Sequence, residues 1–110
     1  MQDPARIFEG NIVLVTGAAS GIGKCIATEF AKKGADIALN DIARAQLAKT
    51  CQEIKRVGVT AKQFVFDVSD GKEVRRSIDE VEKMMGKIDI LVNNAGIATG
   101  TDFLEMNDEE

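Results

Sequence analysis

The chain has no histidine, no tyrosine and no tryptophan among its 110 residues. It therefore offers no imidazole or phenol as an obvious proton donor near neutral pH. It has two cysteines, Cys25 and Cys51, without metal-type or redox-type spacing, which reads as two reduced thiols in a cytosolic protein. Cys25 is expected on the inward stripe of the first helix, in a packing role. Long apolar runs are missing. Ile12 to Val15 and Ile88 to Val92 are too short to span a bilayer, and the segment Met1 to Arg6 lacks the basic and apolar regions of a secretory signal. No basic cluster appears and the net charge is −4, which argues against a nucleic-acid partner. Repeats, low-complexity tracts and linkers are absent as well.

What remains is an ordinary globular composition, sized for one domain with a core of its own. Short apolar strands alternate with amphipathic helices, the pattern of βαβ units and a parallel sheet. Strands are predicted over Asn11 to Thr16, Asp36 to Asn40, Ala61 to Phe66 and Ile88 to Asn93. The first helix is predicted over Gly21 to Lys33, with Ile22, Ile26, Ala27 and Phe30 facing inward, and the second over Ala43 to Val57. Gly34 and Gly58 follow them as stop signals. Asp70 is expected to cap a third helix, with Glu73 as its capping-box partner and Val74, Ile78, Val81 and Met85 inward, ending near Gly86. Asn107 with Asp108, Glu109 and Glu110 reads as the cap and first turn of a further helix. The expectation is that residues 1–110 are one domain, cut from a longer protein at this point.

The most informative segment is Thr16-Gly17-Ala18-Ala19-Ser20-Gly21-Ile22-Gly23, placed between a predicted strand and a predicted helix. That is the context a dinucleotide fingerprint requires. Gly17 permits the sharp turn, Gly21 admits a pyrophosphate close to the backbone, and Gly23 lets helix and sheet pack closely. Ser20 and Ile22 complete the candidate phosphate turn. Asp41 follows about 20 residues later, where a carboxylate meets ribose hydroxyls. Asp67 and Val68 end the third strand, placed for adenine. Asn94, Ala95 and Gly96 end the fourth, where small residues and an amide border the middle of the cofactor. Each feature has a plainer reading: a simple strand–helix turn for the glycines, a surface acid for Asp41, a turn start for Asp67. Asn93 reads as a structural bridge between strands, and Lys24 as a solvated helix residue.

Taken together, the T-G-A-A-S-G-I-G turn, the D-V after the third strand and the N-N-A-G after the fourth resemble the short-chain dehydrogenases/reductases. The resemblance covers Phe8 to Glu109. It implies a Rossmann-type doubly wound fold, here four strands in order 3-2-1-4 with three helices. It also implies a nicotinamide dinucleotide, hydride transfer with a small carbonyl or alcohol substrate, and a homo-oligomeric full-length protein. The Tyr and Lys of that family's Y-x-x-x-K motif have no counterpart in residues 1–110, so no catalytic residue is assigned and the chain alone is expected to be inactive. NAD is the expected cofactor and NADP the alternative, because Asp41 repels a 2′-phosphate and Ile42 adds no positive charge. Two other readings stay open: a non-catalytic dinucleotide-sensing module, and a methyltransferase, against which the Asn-Asn-Ala-Gly segment argues.

Overall fold

A computed structural model describes residues 4–95. Gly96 and the Asn107 to Glu110 helix start lie outside the described residues. A short 3-10 turn, Pro4–Arg6, precedes β1 (Ile12–Val15), α1 (Gly21–Lys32), β2 (Asp36–Asp41), α2 (Arg44–Lys55), β3 (Ala61–Val65), α3 (Gly71–Met85) and β4 (Ile90–Val92). The four strands form one parallel sheet in the predicted order, β3-β2-β1-β4. Val13 pairs with Ile37 on one side and Ile90 on the other.

Side chains alternate across a strand, and here both faces are apolar. Val13, Val15, Ile37 and Leu39 point to one face, where they meet Ala27 and Ala31 of α1 and Leu47, Cys51 and Ile54 of α2. Leu14, Ala38 and Phe64 point to the other, where Val74 and Val81 of α3 cover them. Ile78 and Met85 pack against that second cluster, so the predicted inward stripe of α3 holds. Burial pushes the Cys51 thiol up from its ordinary range, which disfavours the thiolate.

The amino ends of two strands are tied by aspartates. The Asp89 carboxylate accepts the Ile12 N–H at 2.8 Å while the Asp89 N–H donates to the Ile12 carbonyl. The Asp36 carboxylate accepts the Thr60 N–H at 2.9 Å, and the Asp36 N–H donates to the Asn11 carbonyl.

Helix α1 departs from expectation. Its buried stripe is Gly23, Ala27 and Ala31, while Ile22 is 72% exposed and Cys25 is also exposed. The reason is steric. A side chain at residue 23 would collide with the carbonyl of Gly17, so the helix sits close to the turn along its smallest residues. Cys25 lies two residues, about 200°, around the helix from Gly23. It opens instead on a groove with Phe8, Ile26 and Phe30.

The cap of α3 forms as predicted, and its capping box does not. Asp70 accepts the N–H groups of Lys72 and Glu73 at 3.1 and 3.2 Å. Glu73 turns away from the Asp70 N–H and accepts the Asp67 N–H at 3.1 Å, while the Asp70 N–H donates to the Asp67 carbonyl. The box is thus displaced one turn outward, onto the segment leaving β3. Asp70→Ala should cost about 1 kcal/mol and lower Tm by roughly 4–8 °C, read by a thermal melt followed by circular dichroism. An unchanged melt would show that the cap contributes nothing.

Candidate functional site

The sheet delivers four loops to one edge, at the carboxyl ends of its strands. After β1 the chain turns through Thr16 and Gly17 into the start of α1. Gly17 has φ +65°, a conformation L side chains rarely adopt. Asn94 donates its amide N–H to the Gly17 carbonyl at 3.2 Å, and the Ala95 N–H donates to Thr16 Oγ1 at 3.0 Å. The glycine turn and the loop after β4 therefore brace each other. Asn93 does bridge, its Oδ1 lying 3.4 Å from the Thr16 hydroxyl.

From the other side the turn is held by β2 and α2. The Ala18 N–H donates to the Asn40 carbonyl at 2.8 Å, and the Ala19 N–H donates to Asp41 Oδ2 at 3.0 Å. Asp41 Oδ1 also accepts the N–H groups of Ile42 and Ala43 at 2.8 and 3.1 Å. A carboxylate has about four acceptor positions. Three are filled by backbone, and the fourth, on Oδ2, is left for another donor. Fully buried Thr50, on α2, donates its hydroxyl to the Ala19 carbonyl at 2.7 Å.

Asn40 fixes the third loop. It is buried, and its amide donates to the carbonyls of Phe64 and Phe66 at 3.1 and 2.9 Å, steering the chain as it leaves β3. Beyond it, the Ser69 N–H and hydroxyl both donate to Asp67 Oδ1 and hold that carboxyl below its ordinary range. The Asp67 carboxylate is thus engaged in its own turn.

Between these loops lies a cleft of about 250 Å³ lined by Gly17, Asn40, Asp41, Ile42, Phe66, Asp67, Val68, Ser69 and Ala95. The structure thus gathers Gly17, Asp41, Asp67, Val68 and Ala95 around one space. Ser20, Gly21 and Ile22 stand beside it, exposed, at the start of α1. Gly23 is buried, and Asn94 contacts the turn from below. Ser20 occupies the N-cap of α1 and its side chain caps nothing, so it leaves the helix's first-turn N–H groups unmet. A β-carbon at Gly21 would meet nothing within 4 Å. Lys24 pairs with Glu53 of α2 at 2.7 Å, so it is an ion-paired link between helices and not the solvated residue expected. Sequence reasoning missed Asn40 and Ser69 as lining residues and treated Ile42 only as an absence of charge. Ile42 is 69% exposed, and an apolar residue directly after a strand-end acid was the available signal.

The arrangement suits a ligand with an apolar planar end, a hydroxyl donor and an anionic middle. Ile42, Phe66 and Val68 offer apolar surface, Asp41 Oδ2 an acceptor, and the uncapped helix start unpaired donors.

Residues 11–110 match the family model described as short chain dehydrogenase. Among curated proteins, 17-beta-hydroxysteroid dehydrogenase 13 of Homo sapiens is 43% identical over 101 residues, covering 92% of this chain and 34% of that protein. The chain spans about a third of the length of the curated relatives it matches. Among solved structures, a hydroxysteroid dehydrogenase from Escherichia coli aligns with TM-score 0.79 at 35% identity, covering 86% of this chain and 40% of that one. A short chain dehydrogenase/reductase from Burkholderia phymatum in complex with NAD aligns with TM-score 0.73 at 31% identity, over 76% of this chain and 30% of that one.

Proposed function

From the premise that this chain belongs to the short chain dehydrogenase family, we propose that it is the cofactor-binding portion of an oxidoreductase that uses NAD. The observation that carries the reading is the convergence of the glycine turn, Asp41 and the apolar cleft at one sheet edge. The NAD complex of a relative supports it. The chemistry a bound nicotinamide supplies is hydride transfer to or from a carbonyl or alcohol carbon.

The residues here bind and orient. Ile42 and Val68 flank the adenine, with Asp67 at the rim. Asp41 Oδ2 uses its remaining acceptor position for a ribose hydroxyl. Ser20, Gly21, Ile22 and Gly23 present the first-turn N–H groups of α1 to the pyrophosphate, where the helix dipole favours negative charge. Gly17, Asn94 and Ala95 border the part of the cofactor that leads to the nicotinamide. A small carbonyl or alcohol compound is the substrate class, consistent with relatives named as steroid dehydrogenases.

NAD rather than NADP follows from the occupancy of Asp41. A 2′-phosphate has no hydrogen to donate to Oδ2 and sets a second negative charge against it. The chain contains neither Tyr nor His, so binding rather than turnover is the readout. Calorimetric titration should show NAD binding, with NADP at least about tenfold weaker, a difference of about 1.4 kcal/mol. Failure to bind either dinucleotide would overturn the reading.

A further inference from the structure

Among the described residues, two threonines lie within helices and hydrogen-bond differently. In α1 the Thr28 hydroxyl donates to the Lys24 carbonyl four residues back at 2.8 Å, the usual local bond of a helical threonine. In α2 the Thr50 hydroxyl leaves its own helix and donates to the Ala19 carbonyl at 2.7 Å, across 31 residues of sequence. Thr50 is fully buried, and threonine is a weak helix former at the middle of a helix. Its place in α2 makes sense through that tertiary bond.

Ala19 is thereby held through both of the peptide groups that flank its Cα. Its N–H donates to Asp41 Oδ2 at 3.0 Å, and the next carbonyl in the chain, that of Ala19 itself, accepts from Thr50. Ala19 is buried, while Ser20, the next residue, is exposed and opens α1. One turn further along α2, Glu53 pairs with Lys24 and ties the same two helices together. The direction of the first-turn N–H groups of α1 therefore depends on the orientation of the chain at Ala19, which Asp41 and Thr50 set jointly.

We propose that Thr50 is a positioning residue for the phosphate-facing turn, acting through Ala19 without touching the cofactor. This rests on the dinucleotide reading above. It predicts a split by ligand. A ligand with a pyrophosphate needs the turn correctly aimed, while adenosine, which lacks phosphate, uses the cleft between Ile42 and Val68. Only the first should suffer when the Thr50 bond is lost.

The test is calorimetry with ADP-ribose and adenosine on the whole chain. In Thr50→Val, of nearly the same shape but without the donor, ADP-ribose should bind about tenfold more weakly and adenosine within about twofold of wild type. Thr50→Ser, which keeps the hydroxyl, should restore ADP-ribose binding. Should the valine variant not fold, Thr50→Ala carries the same comparison, with Thr50→Ser as the control for the lost methyl. Equal weakening of both ligands, or an unchanged ADP-ribose affinity, would overturn the proposal and leave the dinucleotide reading standing. A wild-type chain that binds no ADP-ribose would overturn both.

Discussion

Gly23→Ala is expected to abolish measurable NAD binding and to lower the stability of the chain, although it adds one methyl group. The added carbon would lie 2.0 Å from the Gly17 carbonyl oxygen and 2.7 Å from its carbon. These are backbone atoms and cannot swing aside. The Asn94 amide, 2.8 Å away, would also be displaced, and with it the bond that holds the Gly17 carbonyl. Relief requires α1 to move outward, which strips the small-residue stripe of Ala27 and Ala31 from the sheet. Overpacking of this kind costs about 1–3 kcal/mol. Gly17→Val should behave similarly, since its β-carbon meets Asn94 at 2.8 Å and its φ is positive. Gly21→Ala provides the contrast. It carries strain at φ +60° but meets open space, so a folded chain with weakened binding is expected. Thermal melts and calorimetry on the three variants check the order. Wild-type affinity in Gly23→Ala would refute the packing account.

The second large effect concerns Asp41. The double variant Asp41→Ala with Ile42→Arg should shift the NAD-to-NADP affinity ratio toward NADP by roughly a hundredfold, about 2.7 kcal/mol. Much of that shift should come from lost NAD affinity. Removing the carboxylate removes repulsion of a 2′-phosphate, and the arginine supplies a partner for it. It also leaves the N–H groups of Ala19, Ile42 and Ala43 without their acceptor, so the turn loosens. Asp41→Asn with Ile42→Arg retains an acceptor oxygen without the charge. It should therefore bind NADP more tightly than the alanine version does. Titration of both cofactors into both variants is the measurement. An unchanged ratio would remove Asp41 from the role assigned to it.

Much of this was legible in the sequence because backbone-demanding residues leave strong marks. Glycines at 17, 21 and 23 after an apolar strand allow few structures, and alternating short strands and helices imply the parallel order that the sheet adopts. Asp70 capped its helix as its position indicated. The misreadings at α1 came from weighing size above proximity. Ala27 is buried and Phe30 packs on the core as expected, yet the close approach at Gly23 centres the buried face on the small residues and turns Ile22 to solvent. Glu73 was misassigned because a capping box is a local pattern, and the competing donor, the Asp67 N–H, belongs to the turn before the helix. Thr50 and Asn40 could not be read at all. Their partners lie 31 and 24 to 26 residues away in sequence, and no local spacing encodes such a bond.

The aspartates at the far end of the sheet act as levelling points. Because both faces of β1 and β2 are apolar, sliding a strand by one residue would still bury oily side chains, so hydrophobicity alone gives little preference between heights. One such step is about 3.3 Å, enough to carry Asn94 out of reach of Gly17. Asp89 and Asp36 break that degeneracy, since each closes its bonds with neighbouring backbone at one height only. The alignment of the cleft is thus set partly from the opposite rim of the sheet, by residues that never face it.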